Sequence, residues 1–157
     1  MPHFGGRLAD TLVGLGLVRP LEAFRLLAKQ VSAKLIEVCG WSKGRWRWYD
    51  GRPSPTGQRP LHLDGFKIVG AGAAALDVAF VDDWAAAHAS EIVAQDAATR
   101  EDLDAFGLGE APRRVHDMLD GRSTVGDLLG RVRSADARTN FLRLLYLLVQ
   151  ADLARLS

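Results

Sequence analysis

A mainly α fold with a minor β part is what this sequence predicts: a helical hairpin with a β-ribbon, followed by a small winged-helix-like helical unit. Three observations lead there. Apolar residues recur at spacings of three and four over residues 20–41 and again over 137–151, the stripe of an amphipathic helix. Residues 45–49 switch to a spacing of two, the period of a strand. Helix-start signals punctuate the second half at Thr99 and Thr124.

The elements follow in order. Leu8, Leu12 and Leu15 share one face of a short helix over about 7–15, which Gly16 ends by adopting positive φ. Pro20 suits the first turn of a second helix, where its missing N–H costs nothing. Leu21, Phe24, Leu27, Ala28, Val31, Leu35 and Val38 carry that helix to about Trp41. In Arg45-Trp46-Arg47-Trp48-Tyr49 the tryptophans face one way and the arginines and tyrosine the other. With a Pro/Ser/Gly-rich loop to Pro60 and a return strand Leu61-His62-Leu63, this predicts an antiparallel ribbon whose tryptophans cover the helices. A helix capped by Asp64 is expected to about Leu76, although Gly70 and Gly72 weaken it. Residues 77–98 read as a connecting segment between a module at 1–76 and a unit at 99–157.

The second unit opens at Thr99-Arg-Glu-Asp102 with a short helix that stops at Gly107 or Gly109. Residues 110–119 form the next, with Val115, Met118 and Leu119 inward, and Asp120-Gly121 makes a turn. Thr124-Val-Gly-Asp127 is a capping box with Asp in the usual place of Glu. Asp136 is expected to cap a last helix, 137–151, before a short strand at 153–156. Short helix, turn, helix and strand is a winged-helix-like pattern.

Composition bounds the function. At 157 residues the chain makes one ordinary domain or two small ones, and 48% hydrophobic against 25% charged residues implies a packed core. No apolar run reaches the length that spans a bilayer, and Met1-Pro-His-Phe-Gly-Gly has neither the basic nor the apolar region of a secretory signal. One cysteine, Cys39, excludes an internal disulfide framework, suits a reducing cytoplasm, and lies on the apolar side of its helix as a core residue. Sixteen arginines against four lysines, with abundant alanine, point to a GC-rich bacterial genome. The net charge of +1 conceals an asymmetry. Residues 1–60 hold ten Lys/Arg against four Asp/Glu, net +6, and residues 61–157 hold ten against fifteen, net −5.

Arg7-Leu8-Ala9, Leu12-Val13, Gly16-Leu17-Val18, Leu27 and Gln30 resemble, in unbroken register, the motif of N-terminal domains in type II secretion and type IV pilus ATPases. Ala9 stands where that family has Gly, and Ala23 where it has Leu. In some members two tandem copies bind cyclic di-GMP. The resemblance therefore implies a ligand site in which Arg7 meets guanine, Leu8 supports it, the Gly16 backbone comes close to the ligand and Gln30 adds a polar contact. Only one copy stands here, and its apolar positions also serve as the core of a helical hairpin. The run Lys34-Leu35-Ile36-Glu37 with Trp41, Gly44, Trp46, Trp48 and Tyr49 is similar to PatA-like N-terminal domains of bacterial signalling proteins. Residues 119–125 with 141–149 resemble a winged-helix-like unit found beside such modules. Neither family carries catalytic residues in these regions, so the resemblance implies no enzyme and no cofactor.

Other motifs weigh less. Phe66-Lys-Ile-Val-Gly70-Ala-Gly72-Ala-Ala-Ala75 imitates a strand and dinucleotide-binding loop. A crossover unit needs about thirty residues and an acidic residue about twenty on, whereas Asp82 and Asp83 follow Gly70 by only 12 and 13. Small residues for tight helix packing explain it better. Arg45, Arg47, Arg52 and Arg59 could meet phosphates, but the second half has no basic recognition helix. His62 with Asp64, and His116 with Asp117, are pairs expected at the surface, and no metal-binding spacing occurs. The last helix is apolar on most of its circumference, so it is either deeply buried or meets a partner, with Leu142, Tyr146 and Val149 as the partner surface.

The expected function is that of a non-catalytic, cytoplasmic protein–protein interaction or regulatory module in bacterial signalling or motility. Its partner is another protein, another domain of a longer protein, or a second copy of the chain, because the sequence begins almost directly on a motif. A cyclic di-GMP sensor and a DNA-binding regulator are the alternatives.

Overall fold

The computed structural model describes residues 8–41, 43–45, 47, 49–51, 61–97 and 99–157. They fall in two compact units, residues 1–34 with 45–63 and residues 35–44 with 64–157. The described residues are mostly helical with one small antiparallel sheet, the mainly α fold with minor β that the patterns predict.

The first unit holds helix α1 (Leu8–Gly14) and most of α2 (Pro20–Cys39). The turn between them is a Schellman motif: Leu17 N–H donates to the Leu12 carbonyl and Gly16 N–H to that of Val13, both at 3.0 Å. Gly16 sits at φ +70°, where a side chain is strained, and a Cβ there would meet nothing. Pro20 opens α2, and Arg19 supplies the carbonyl that receives the first helical bond, from Ala23 N–H at 2.9 Å. The expected ribbon is a correction. Arg45, Arg47, Tyr49 and Leu61–Leu63 form no strand, and His62 lies at φ +49°, a left-handed conformation that interrupts an extended chain. Trp46, Trp48, Arg52 and Arg59 lie outside the described residues.

The second unit is built around α8 (Ala135–Gln150). Phe141, Leu142, Leu145 and Leu148 face a core with Val81, Ala85, Val93, Leu103, Val115, Leu119, Val125 and Leu128, while Leu147 faces Ala73 and Phe106. Helices α3 (Gly65–Ala74), α4 (Val78–Ala87) and α6 (Ala111–Asp117) pack on α8. The sheet has the order β2-β1-β3, from Asp120–Thr124, Ile92–Gln95 and Ala154–Leu156. Both pairings are antiparallel, with Val93 opposite Leu156 and Ala94 opposite Asp120.

Strand β3 (Ala154–Leu156) falls on the short strand expected at 153–156, whereas the other two strands arise where the sequence suggested otherwise. The segment read as a connection, 77–98, holds α4 and the central strand β1, and its Val81, Ala85 and Val93 are core residues. Asp120-Gly121, read as a turn, starts strand β2, with Gly121 at φ +66° beside a bulge in the pairing with β1.

Helix starts follow the sequence closely. Asp64 caps α3, and Thr99–Asp102 and Thr124–Asp127 form complete capping boxes on α5 (Arg100–Ala105) and α7 (Val125–Gly130). Asp77 caps α4. The cap of α8 is Ser134 rather than Asp136, its hydroxyl accepting from Ala137 N–H at 3.2 Å; Asp136 lies inside the first turn, where its charge favours the helix dipole. At the other end of α3, Arg143 of α8 donates its Nε–H to the Leu76 carbonyl at 2.9 Å.

The glycines that imitate a dinucleotide loop are packing devices. A Cβ on Gly70 would stand 2.3 Å from the Phe106 carbonyl oxygen, and one on Gly72 would stand 2.6 Å from Cys39 Sγ. Contact with Gly72 does not bury Cys39, which remains exposed because no described residue of α2 is buried, contrary to its expected core position. Gly65, at the start of α3, has open space around it. Gly70→Ala should therefore destabilise the chain by about 2 kcal/mol, because the clashing atom is backbone and the helix or loop must move. Gly65→Ala should be neutral or stabilise by up to about 1 kcal/mol through the unfolded state. Urea denaturation of the two variants checks this, and equal losses would contradict the packing account.

Candidate functional site

Leu8 and Leu12 of α1, Val18 of the connecting turn, and Ala23, Leu26, Leu27 and Gln30 of α2 line one groove of about 180 Å³ in the first unit. The spacing explains the convergence. Leu8 and Leu12 are four apart, as are Ala23 and Leu27, and Leu26 and Gln30, so each pair stacks on one face of its helix. The Schellman turn brings Val18 in to join them. Leu8 is 73% exposed and Leu26 57%, so this apolar surface meets solvent instead of forming a closed core. Gln30 contributes the one polar side chain of the lining.

Five of the positions that carry the motif, Leu8, Leu12, Val18, Leu27 and Gln30, thus come together, with Ala23 from the same stretch. Gly16 does not line the groove and serves the turn. Arg7 lies outside the described residues. Ala23 leaves the groove wider than a leucine would. Leu26 was not singled out from the sequence, since it sits beside the stripe of Leu27; the Leu26-Leu27 pair was the available signal.

The expected partner surface on the last helix is a correction. Leu142 is fully buried at 0% exposure, Val149 packs against the main core, and Tyr146 is half-buried in edge contacts with Phe80 and Trp84, at ring-centroid distances of 5.3 and 5.5 Å. The nearly all-round apolar character of α8 comes from its being enclosed by its own unit on two sides. His116 is likewise buried, not a surface residue, and its Nε2 has no hydrogen-bond partner among the described residues, while its carbonyl accepts from Gln95 Nε2 at 2.8 Å and ties α6 to β1. Among the described residues no group of three or more His, Cys, Asp or Glu is arranged to hold a metal ion, and no helix is long and apolar enough to cross a membrane.

The polar chemistry of the second unit is structural. Asp120 accepts from Ser123 N–H at 2.7 Å, Arg122 N–H at 2.9 Å and Ser123 Oγ–H at 2.9 Å, and Arg131 donates to Ser123 Oγ at 2.8 Å. Those donors, the Ser123 N–H first, pull the Asp120 carboxyl down to about 2. Backbone N–H donation from Thr99 and Thr124 lowers Asp102 and Asp127 in the same direction. Arg113 pairs with Asp104 at 2.6 Å and Arg138 with Asp82 at 3.7 Å. These groups hold loops and helix ends.

With this geometry in view, comparison with known proteins adds no relative: no protein-family model, curated protein or solved structure matches the chain.

The depressed carboxyls set an acid limit. A folded value below the unfolded 3.8 means that Asp120 contributes stability fully above about pH 4 and loses it as pH falls through about 2. Asp120→Asn should be less stable than the parent at pH 7, and the gap should close as pH falls from 5 to 2. Chemical denaturation at a series of pH values reads this directly; a constant gap would mean that the carboxylate charge is not what holds β2.

Proposed function

We propose that the chain is a non-catalytic, cytoplasmic protein-interaction or regulatory module of a bacterial signalling or motility system, and that the groove of α1 and α2 receives its partner. The observation that carries this is the groove itself. Six of its seven lining side chains are apolar, and two leucines in regular helices stand more than half exposed. Apolar side chains exposed side by side in a concave site are what a partner's apolar anchors require. Since α8 is occupied within its own unit, the docking surface moves from Leu142, Tyr146 and Val149 to Leu8, Leu12, Leu26 and Leu27.

A cyclic di-GMP sensor is the second reading, favoured by the convergence of Leu8, Leu12, Leu27 and Gln30. Against it, a cyclic dinucleotide needs hydrogen-bonding groups for two guanines and cations for two phosphates, and the described lining offers one amide. A DNA-binding regulator has less support. Five residues of α8 are buried and Arg143 is held by the Leu76 carbonyl, which leaves little of that helix to enter a major groove.

Calorimetry separates the first two. The purified chain should bind cyclic di-GMP no more tightly than about 10 μM, near −7 kcal/mol. Micromolar or tighter binding that disappears in both Arg7→Ala and Gln30→Ala, with an unchanged circular dichroism spectrum, would replace the protein-interaction reading by the sensor.

A further inference from the structure

A second apolar face runs along α2, and we infer that it pairs with the same face of a second copy of the chain, the two helices lying antiparallel. Leu21, Phe24, Ala28, Val31, Leu35 and Val38 follow one another at intervals of three, four, three, four and three. That is the seven-residue repeat of a seam between packed helices, carried along α2 almost from end to end. None of the six is charged, and none is buried within the chain. Leu21 is 62% exposed, Leu35 44% and Val38 48%, while Phe24, Ala28 and Val31 are half-buried. The seam shares no residue with the groove, whose α2 lining is Ala23, Leu26, Leu27 and Gln30. Pairing along it is therefore independent of what docks in the groove.

The order of side chains along the seam favours the chain's own copy as its cover. A two-fold axis midway between Ala28 and Val31 sets Leu21 against Val38 of the second copy, Phe24 against Leu35 and Ala28 against Val31. Each contact then occurs twice, as two-fold symmetry requires. Every layer joins a larger side chain to a smaller one, which lets the layers interdigitate. Parallel pairing would instead stack Phe24 on Phe24 and leave Ala28 facing Ala28, a bulge beside a gap. Antiparallel pairing also opposes the two helix dipoles. No charged residue stands in the seam to repel its own copy. From Leu21 to Val38 the seam is about 25 Å long at a rise of 1.5 Å per residue. Two facing strips of that length and a helix width of about 10 Å, roughly doubled by the relief of the side chains, bury about 1,000 Å². That lies at the lower limit of a specific interface, so the dimer forms at micromolar concentration and is in exchange with monomer.

Sedimentation velocity of the full chain from about 5 to about 200 μM tests this, since a reversible dimer follows mass action. The sedimentation coefficient should rise with concentration. Leu21→Glu/Leu35→Glu should weaken association by about tenfold or more, because the new carboxylates would be buried in the seam. Both leucines are exposed in the single chain, so that variant keeps the fold, which circular dichroism verifies. Leu26→Arg, on the groove's face, should associate like the parent. Direction is read by disulfide capture in a Cys39→Ser background. Leu21→Cys and Val38→Cys should cross-link when mixed and oxidised, because only facing positions come within bonding reach. Neither should cross-link alone. A monomer at every concentration, or association indifferent to the change at Leu21 and Leu35, would overturn the pairing. Loss of the dimer in Leu26→Arg alone would place the second copy in the groove and equally overturn it. Self-linking of either cysteine variant would overturn the antiparallel arrangement.

Discussion

Enclosure of α8 is the constraint on which the second unit depends. Four of its side chains face the core shared by α4, α6, α7 and the sheet, and Leu147 faces the smaller cluster of Ala73 and Phe106 on another side. Each such burial stabilises by about 1.5–3 kcal/mol, so the helix cannot turn or slide without giving up several at once. Everything around it follows: Arg143 reaches the Leu76 carbonyl just beyond the end of α3, and β3 leaves the end of α8 in position to pair with β1. A helix with an apolar circumference suggests a partner surface when its neighbours are unknown. Here the neighbours are in the same unit.

Two kinds of close approach make that enclosure tight. Gly70 lets α3 come against the Phe106 carbonyl, and Gly72 lets it come against Cys39. The approach at Gly70, to a backbone atom, leaves no room for a larger residue, which is why glycine stands there inside a helix where it is otherwise unfavourable. Carboxylates do complementary work at the helix ends. Asp64, Asp77, Asp102 and Asp127 accept from N–H groups that would have no intrahelical partner. Much of the acidic excess of residues 61–157 is therefore architectural.

The first unit differs in kind. Its α2 has no buried residue among those described, and its groove is open to solvent. Leucines that a sequence pattern reads as a hairpin core line, in space, a groove open to solvent. That contrast, one unit closed upon α8 and one whose described apolar residues are largely exposed, is the reason the proposed docking role is placed on the hairpin.

Local signals were legible in the sequence because they act over a few residues. Helix stripes, the Gly16 and Pro20 punctuation, the Asp64 cap and both capping boxes depend on φ preferences and on side chains reaching their own backbone, and the sequence alone determined them. So did much of the groove, since four-residue spacings place Leu8 with Leu12 and Ala23 with Leu27. Pairing over distance was left to tertiary structure. Val93 is a strand residue because Leu156 lies beside it, and four residues of 92–95 hold no pattern that announces a central strand. The alternation at 45–49 looked like a ribbon, yet with His62 left-handed its expected return segment forms no ladder. Leu142 and Leu26 have the same apolar chemistry; one is buried and the other exposed. No residue carries that difference by itself, because burial is a property of what the rest of the chain packs against it.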